Sequence, residues 1–157
     1  EEIDNLATFL LEFRYGLPNH AHILHDAGYV VALSKFLLHE VGIVPKEQFI
    51  TDATPEKFHE AIRADLKSTS DKKEIPLYFE PDAGKAQEIL RGIHHKGRGL
   101  IIGSGWDKEL AKEKGYDFLS AALPSPYRLV LTTNYAGFTG GLRVIEDIYQ
   151  TVLSTYA

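Results

Sequence analysis

The chain has 157 residues, 17 Lys+Arg against 22 Asp+Glu and a formal charge of −5, with 44% hydrophobic and 25% charged residues. Those values describe one globular domain large enough to bury a core, and they exclude extended disorder. The acidic balance argues against a role on nucleic-acid backbones, and no apolar run approaches the ~20 residues of a membrane helix.

In chain order, apolar residues at Ile3, Leu6, Ala7, Leu10, Leu11 and Phe13 have mostly helical spacing, and Gly16 and Pro18 end that helix. His20 to Leu24 reads as a short strand, and Asp26 as the N-cap of a helix from about Ala27 to Val41 closed by Gly42. Glu47 to Thr51 is a second strand; Thr54-Pro55-Glu56 then supplies a cap and a first-turn proline for a helix through Phe58, Ala61, Ile62 and Leu66. Ile75 to Phe79 is a third strand, followed by a helix from Asp82 to Gly92. Gly99 to Gly103 is short, apolar and bounded by glycines, as a fully buried parallel strand should be. A helix from Trp106 to Lys114 stops at Gly115, a fifth strand spans Phe118 to Leu123, and a loop from Ser125 to Phe138 leads into a helix from Thr139 to Thr155.

Strands alternating with helices over short connections predict right-handed crossovers. The expected fold is a doubly wound, Rossmann-like α/β domain: a parallel sheet of about five strands with helices on both faces, spanning residues 1–157. Ligands of such folds sit outside the carboxyl ends of the strands. Gly103-Ser104-Gly105 and Gly137-Phe138-Thr139-Gly140-Gly141 both open helices at that edge. Gly103, Ser104 and Gly105 are candidates for holding an anion through free amides, and Gly137 and Gly140 for a close approach by a partner. The bland readings are a plain Gly-rich turn, since Lys108 stands where a dinucleotide fingerprint needs its third Gly, and tight packing with a Thr139 cap.

His20 and His22 would share one strand face with His25 at its end, but no carboxylate is in register with them. They read as a solvated, His-rich edge strand, and no metal ligand is assigned. His94 and His95 read as cations complementing a helix C-terminus. No nucleophile–base pair stands out, so no catalytic residue is assigned. The chain lacks Cys, which removes disulfides, thiol nucleophiles and cysteine-held iron–sulfur clusters from this stretch. It also lacks Met, and an excised or processed piece of a longer cytoplasmic protein is the expectation.

Four stretches occur in an order and spacing that resemble the last domain of nitrogenase component 1 subunits, most nearly the beta-type subunit of the molybdenum–iron protein or a relative. They are His22 through Pro45, Leu100-Ile101-Ile102-Gly103-Ser104-Gly105 with Glu109-Leu110-Ala111, Phe118-Leu119 with Pro124-Ser125-Pro126-Tyr127-Arg128, and Ala136 through Leu142. The resemblance runs from about Tyr15 to Tyr156. It implies a C-terminal domain of a longer oxidoreductase subunit that receives electrons from an ATP-driven reductase. The parent would carry iron–sulfur and molybdenum–iron clusters, with the reductase and other domains and subunits of the complex as partners. Two departures matter. Ala136 stands where the alpha-type subunit places a cofactor-ligating His, and Pro126-Tyr127 precede Arg128 where an Asp is usual. The segment itself is therefore expected to be structural and partner-binding, with no cofactor of its own. A stand-alone module for a small anion or nucleotide is the alternative.

Overall fold

The computed structural model describes residues 16–69, 74–126 and 134–155. The expected helix over Glu1 to Arg14, and Tyr127 and Arg128 of the long loop, lie outside the described residues. Among the described residues, six strands and five α-helices follow in the order β1 (His20–His25), α1 (Ala27–Phe36), β2 (Val44–Pro45), β3 (Gln48–Ile50), α2 (His59–Lys67), β4 (Leu77–Phe79), α3 (Ala83–Gly92), β5 (Gly99–Gly103), α4 (Lys108–Lys114), β6 (Asp117–Ser120) and α5 (Gly137–Thr155).

All pairings are parallel, and the sheet runs β4-β3-β1-β5-β6 with β2 paired to the start of β1. Setting the two-residue β2 aside, this is the doubly wound order in which the chain returns past its first strand. The switch point therefore lies between β1 and β5, whose register runs from His20 opposite Gly99 to Ile23 opposite Ile102. Gln48 sits where β1 passes from β2 to β3. Its buried amide accepts from the Ile23 amide at 3.0 Å and donates to the Ala21 and Lys46 carbonyls at 2.9 Å, replacing the missing ladder bonds.

Alternation along the strands sorts the core into two layers. Ala21, Ile23, Leu100, Ile102 and Leu119 pack with Val30, Leu33 and Leu37, Leu66, and Val144 and Ile148, so α1, α2 and α5 cover one face. Leu24, Phe49 and Ile101 pack with Ala86, Leu90, Leu110 and Ala111, so α3 and α4 cover the other. Every residue of β5 is buried, as its unbroken apolar run requires.

Local signals set most boundaries. The Asp26 side chain accepts from the Tyr29 amide at 3.1 Å, Asp82 caps α3 through the Gly84 and Lys85 amides, and Gly42 ends the first helix at φ 83°. That helix continues past Phe36 as a π-helical turn, Leu37–Val41, which no residue pattern announces.

Four expectations are corrected. Thr54 does not cap the second helix; its hydroxyl bonds Asp52, and the helix begins with a 3-10 turn, Glu56–Phe58, behind Pro55. A second 3-10 turn, Gly105–Asp107, precedes α4, so Trp106 is not in the α-helix. The fifth strand is Asp117–Ser120 rather than Phe118 to Leu123, because Ala121 and Ala122 turn back to donate to the Gly103 carbonyl. The last helix starts at Gly137, which places Thr139 inside its first turn.

Candidate functional site

At the carboxyl ends of β5 and β6, the Gly103-Ser104-Gly105 turn satisfies itself. The Asp107 carboxylate accepts from the Ser104 amide at 2.8 Å and from its hydroxyl at 3.0 Å, while Ser104 Oγ accepts from the Trp106 amide at 3.3 Å. The Gly105 amide donates to the Pro124 carbonyl at 2.7 Å, and Gln87 fixes the second Asp107 oxygen at 2.8 Å. The donors that an anion would need are thus engaged, and a buried carboxylate stands beside them. The glycines answer a packing demand instead. A Cβ on Gly103 would run into Asp107, and one on Gly105 into the Pro126 ring and the Pro124 carbonyl.

The second Gly-rich turn opens α5. Gly137 takes φ 69°, a backbone region that side chains disfavour, and a Cβ on the buried Gly140 would strike the Tyr135 backbone. Tyr135 packs on the core, with its hydroxyl donating to Asp147 at 2.6 Å. Three large apolar side chains beside these turns are exposed. Trp106 is 66% exposed, Leu123 88% and Phe138 99%. All three follow β5 or β6, or open α5. Ala136 is exposed and offers no donor atom to a metal.

The histidines behave unlike a solvated edge. Because β1 is central in the sheet, His20 and His22 are buried, at 2% and 0% exposure. The carboxylate that the sequence reading did not find comes from Glu47, in the turn before β3, and His95 joins it from the segment after α3. His95 Nε2 lies 2.7 Å from Glu47 Oε2, and His22 Nδ1 lies 3.5 Å from the same oxygen and donates to the Glu47 carbonyl at 3.1 Å. His95 is thus the partner of a carboxylate and does not act as the helix cap expected of it. The His20 ring meets both His22 and His95 edge-on, at 5.4 and 5.2 Å between centroids, and Tyr116 stacks on His22 at 6.0 Å. Burial pushes the His20 and His22 imidazoles from 6.5 down to about 4. For Glu47, burial opposes ionisation, but the His95 hydrogen bond, with its own amide and the neighbouring histidines, holds the carboxyl below its usual range. Period-two spacing did place His20 and His22 on one face. The link to Glu47 and His95 needs the β1–β3 register, which no local pattern carries.

Strand order and parallel pairing define a Rossmann-type, doubly wound α/β domain. A family model described as nitrogenase component 1 type oxidoreductase matches residues 15–153, and the chain belongs to that family. Its backbone matches a solved structure described as nitrogenase Cp1 at pH 6.5, with a TM-score of 0.72 and 22% identity over 98% of this chain. The chain spans 32% of the length of that protein. No curated protein matches the sequence.

The donor set does not suit a thiolate-held cluster, because the chain contains no cysteine. Among the described residues, no helix is long and apolar enough to cross a membrane.

Proposed function

We propose that this chain is the C-terminal α/β domain of a nitrogenase-like component 1 subunit and acts there as a structural, partner-facing domain. The clusters and electron transfer of such a subunit belong to other parts of it, with electrons arriving from an ATP-driven reductase. One observation carries the partner-facing role: Trp106, Leu123 and Phe138 stand exposed at the carboxyl edge. Large apolar side chains grouped at one edge mark an interaction surface, whereas scattered ones need no explanation. Engagement of the Gly103 to Gly105 amides within the chain supports this reading over a stand-alone anion or nucleotide site.

The test is co-expression of the chain with the remaining domains of a component 1 type subunit from the same source, carried on a separate polypeptide. Co-purification of the two pieces is expected, with loss of the pair when Trp106 and Phe138 are both replaced by Ser. Failure of the unmodified chain to associate, or association indifferent to the double replacement, would overturn the reading.

A further inference from the structure

We propose that His22, Glu47 and His95 form a binding site for a single divalent transition-metal ion of the zinc type, at the amino-terminal half of β1 and on the sheet face opposite α1. One ligand atom from each of the three residues lies within 4.8 Å of the others, against roughly 3.4 Å between ligand atoms in tetrahedral ligation at about 2.1 Å, so His95 Nε2 and Glu47 Oε2, 2.7 Å apart, would part to admit the ion. Two imidazoles and one carboxylate leave a fourth position for water or a small anion, as in zinc sites that stay open.

Two independent observations support a ligand here. The first is the state of His22. Its Nδ1–H is committed to the Glu47 carbonyl, which fixes the tautomer and leaves the lone pair on Nε2. That Nε2 is buried and has no hydrogen-bond partner in the structure. A ring nitrogen held this way, with its opposite N–H on a backbone carbonyl, is the arrangement by which proteins orient a metal-binding histidine. A buried nitrogen left unpaired is costly, and a bound cation would relieve that cost.

The second observation is access. Glu47 and His95 line a cavity of about 90 Å³ between Leu38, Pro45 and Ile75, so the site has an opening to solvent at two of its ligands. The wall behind it is ordered. His20 packs edge-on against His22 and His95, and Gly99 makes room for it, since a Cβ there would lie 2.8 Å from His20 Nε2 and 2.7 Å from the Tyr116 ring. The ion fits its ligands by softness as well: imidazole with one carboxylate suits zinc, cobalt or nickel better than calcium or magnesium.

The experiment uses the purified 157-residue chain, stripped with a chelator and titrated with Co²⁺ alone, followed by visible absorption, and with Zn²⁺ in competition. The expected result is one equivalent of Co²⁺ per chain with the intense visible bands of a tetrahedral ion, displaced by Zn²⁺. Replacing a histidine's outer partner alone costs about 10–100-fold in affinity, so Glu47→Gln and His95→Gln should each weaken binding by about 100-fold or more. His94→Gln, next to His95 but outside the cluster, should leave affinity unchanged. Circular dichroism of the metal-free variants reports whether they fold. Should either fail, the unmodified chain still decides: no one-equivalent binding, or a weak octahedral spectrum, overturns the site. Tight binding that survives both folded variants overturns it as well.

Discussion

Arg98 and Asp117 form a two-pronged ion pair, with Nε 2.6 Å from one carboxylate oxygen and Nη2 2.7 Å from the other, across the start of β5 and β6. The Asp117 side chain is 2% exposed. Breaking such a pair strands a buried carboxylate, so Arg98→Gln should lower stability by about 3–5 kcal/mol in urea unfolding. The Arg91–Glu113 pair makes a single contact, Nε to carboxylate oxygen at 2.8 Å, and both side chains are about half exposed. Arg91→Gln should therefore cost less than about 1 kcal/mol. Equal losses from the two would show that burial is not what gives the Arg98 pair its weight.

A second expectation concerns acid. His20 and His22 titrate at 6.5 when unfolded and at about 4 when folded, so the unfolded chain binds more protons between those values. Stability of the metal-free chain should be constant near neutrality and fall as pH drops from about 6.5 to 4. For His22 alone the depression corresponds to about 3 kcal/mol. The lowered Glu47 carboxyl adds to the loss at the acid end, because its contribution fades as pH falls through its folded value. Thermal melts across this range, repeated on His22→Asn, provide the check. A variant with the same acid slope as the parent would assign the effect elsewhere.

Ile101 is fully buried in β5 and packs with Leu24, Leu90 and Leu110. Ile101→Ala should cost about 2–5 kcal/mol, the range for emptying a core position. A loss near that of a surface change, below about 0.5 kcal/mol, would contradict the central place of the strand.

How legible this architecture was depends on how local each signal is. Gly99 to Gly103, the Asp26 and Asp82 caps and the Gly42 and Gly115 stops act within a few residues, and each could be read directly. Strand alternation likewise placed His20 and His22 on one face. What could not be read was that β1 is the central strand, since that depends on the chain crossing back to add β5 on its other side. Mistaking β1 for an edge made two buried histidines look solvated and hid Glu47, which lies 25 residues from His22. The Gly103 to Gly105 turn poses a different problem. Its glycines were visible, but whether its amides were free depended on Asp107 and on Pro124 reaching back from beyond β6.

Reconstitution tests the division of labour within the subunit. Incubation of the chain with ferrous iron and sulfide under anaerobic conditions should give no visible absorbance of an iron–sulfur cluster, since no thiolate is present to ligate its iron. Iron bound without sulfide, at the histidine site, would be compatible with that outcome. Stoichiometric iron and sulfide together would not.

The partner-facing edge demands a variant that touches the surface without touching the turn. Gly105→Val is unsuitable, because its side chain would meet the Pro126 ring and the Pro124 carbonyl and should destabilise the fold directly. Trp106 and Phe138 are better placed, since 66% and 99% of their surfaces face solvent. Trp106→Ser and Phe138→Ser should each change stability by no more than about 0.5 kcal/mol, as for other surface positions. In association with the rest of a component 1 type subunit, the same changes should be far more costly. Buried aromatic anchors at the centre of an interface often contribute about 2 kcal/mol or more each, roughly a 30-fold loss of affinity. The measurement is paired: a melting curve for each variant alone, and its affinity for the co-expressed partner piece. Unchanged melting with weakened association assigns the edge to partner binding. Parallel loss of both would mean that these rings serve the fold of the chain, and unchanged association would mean that the partner sits elsewhere.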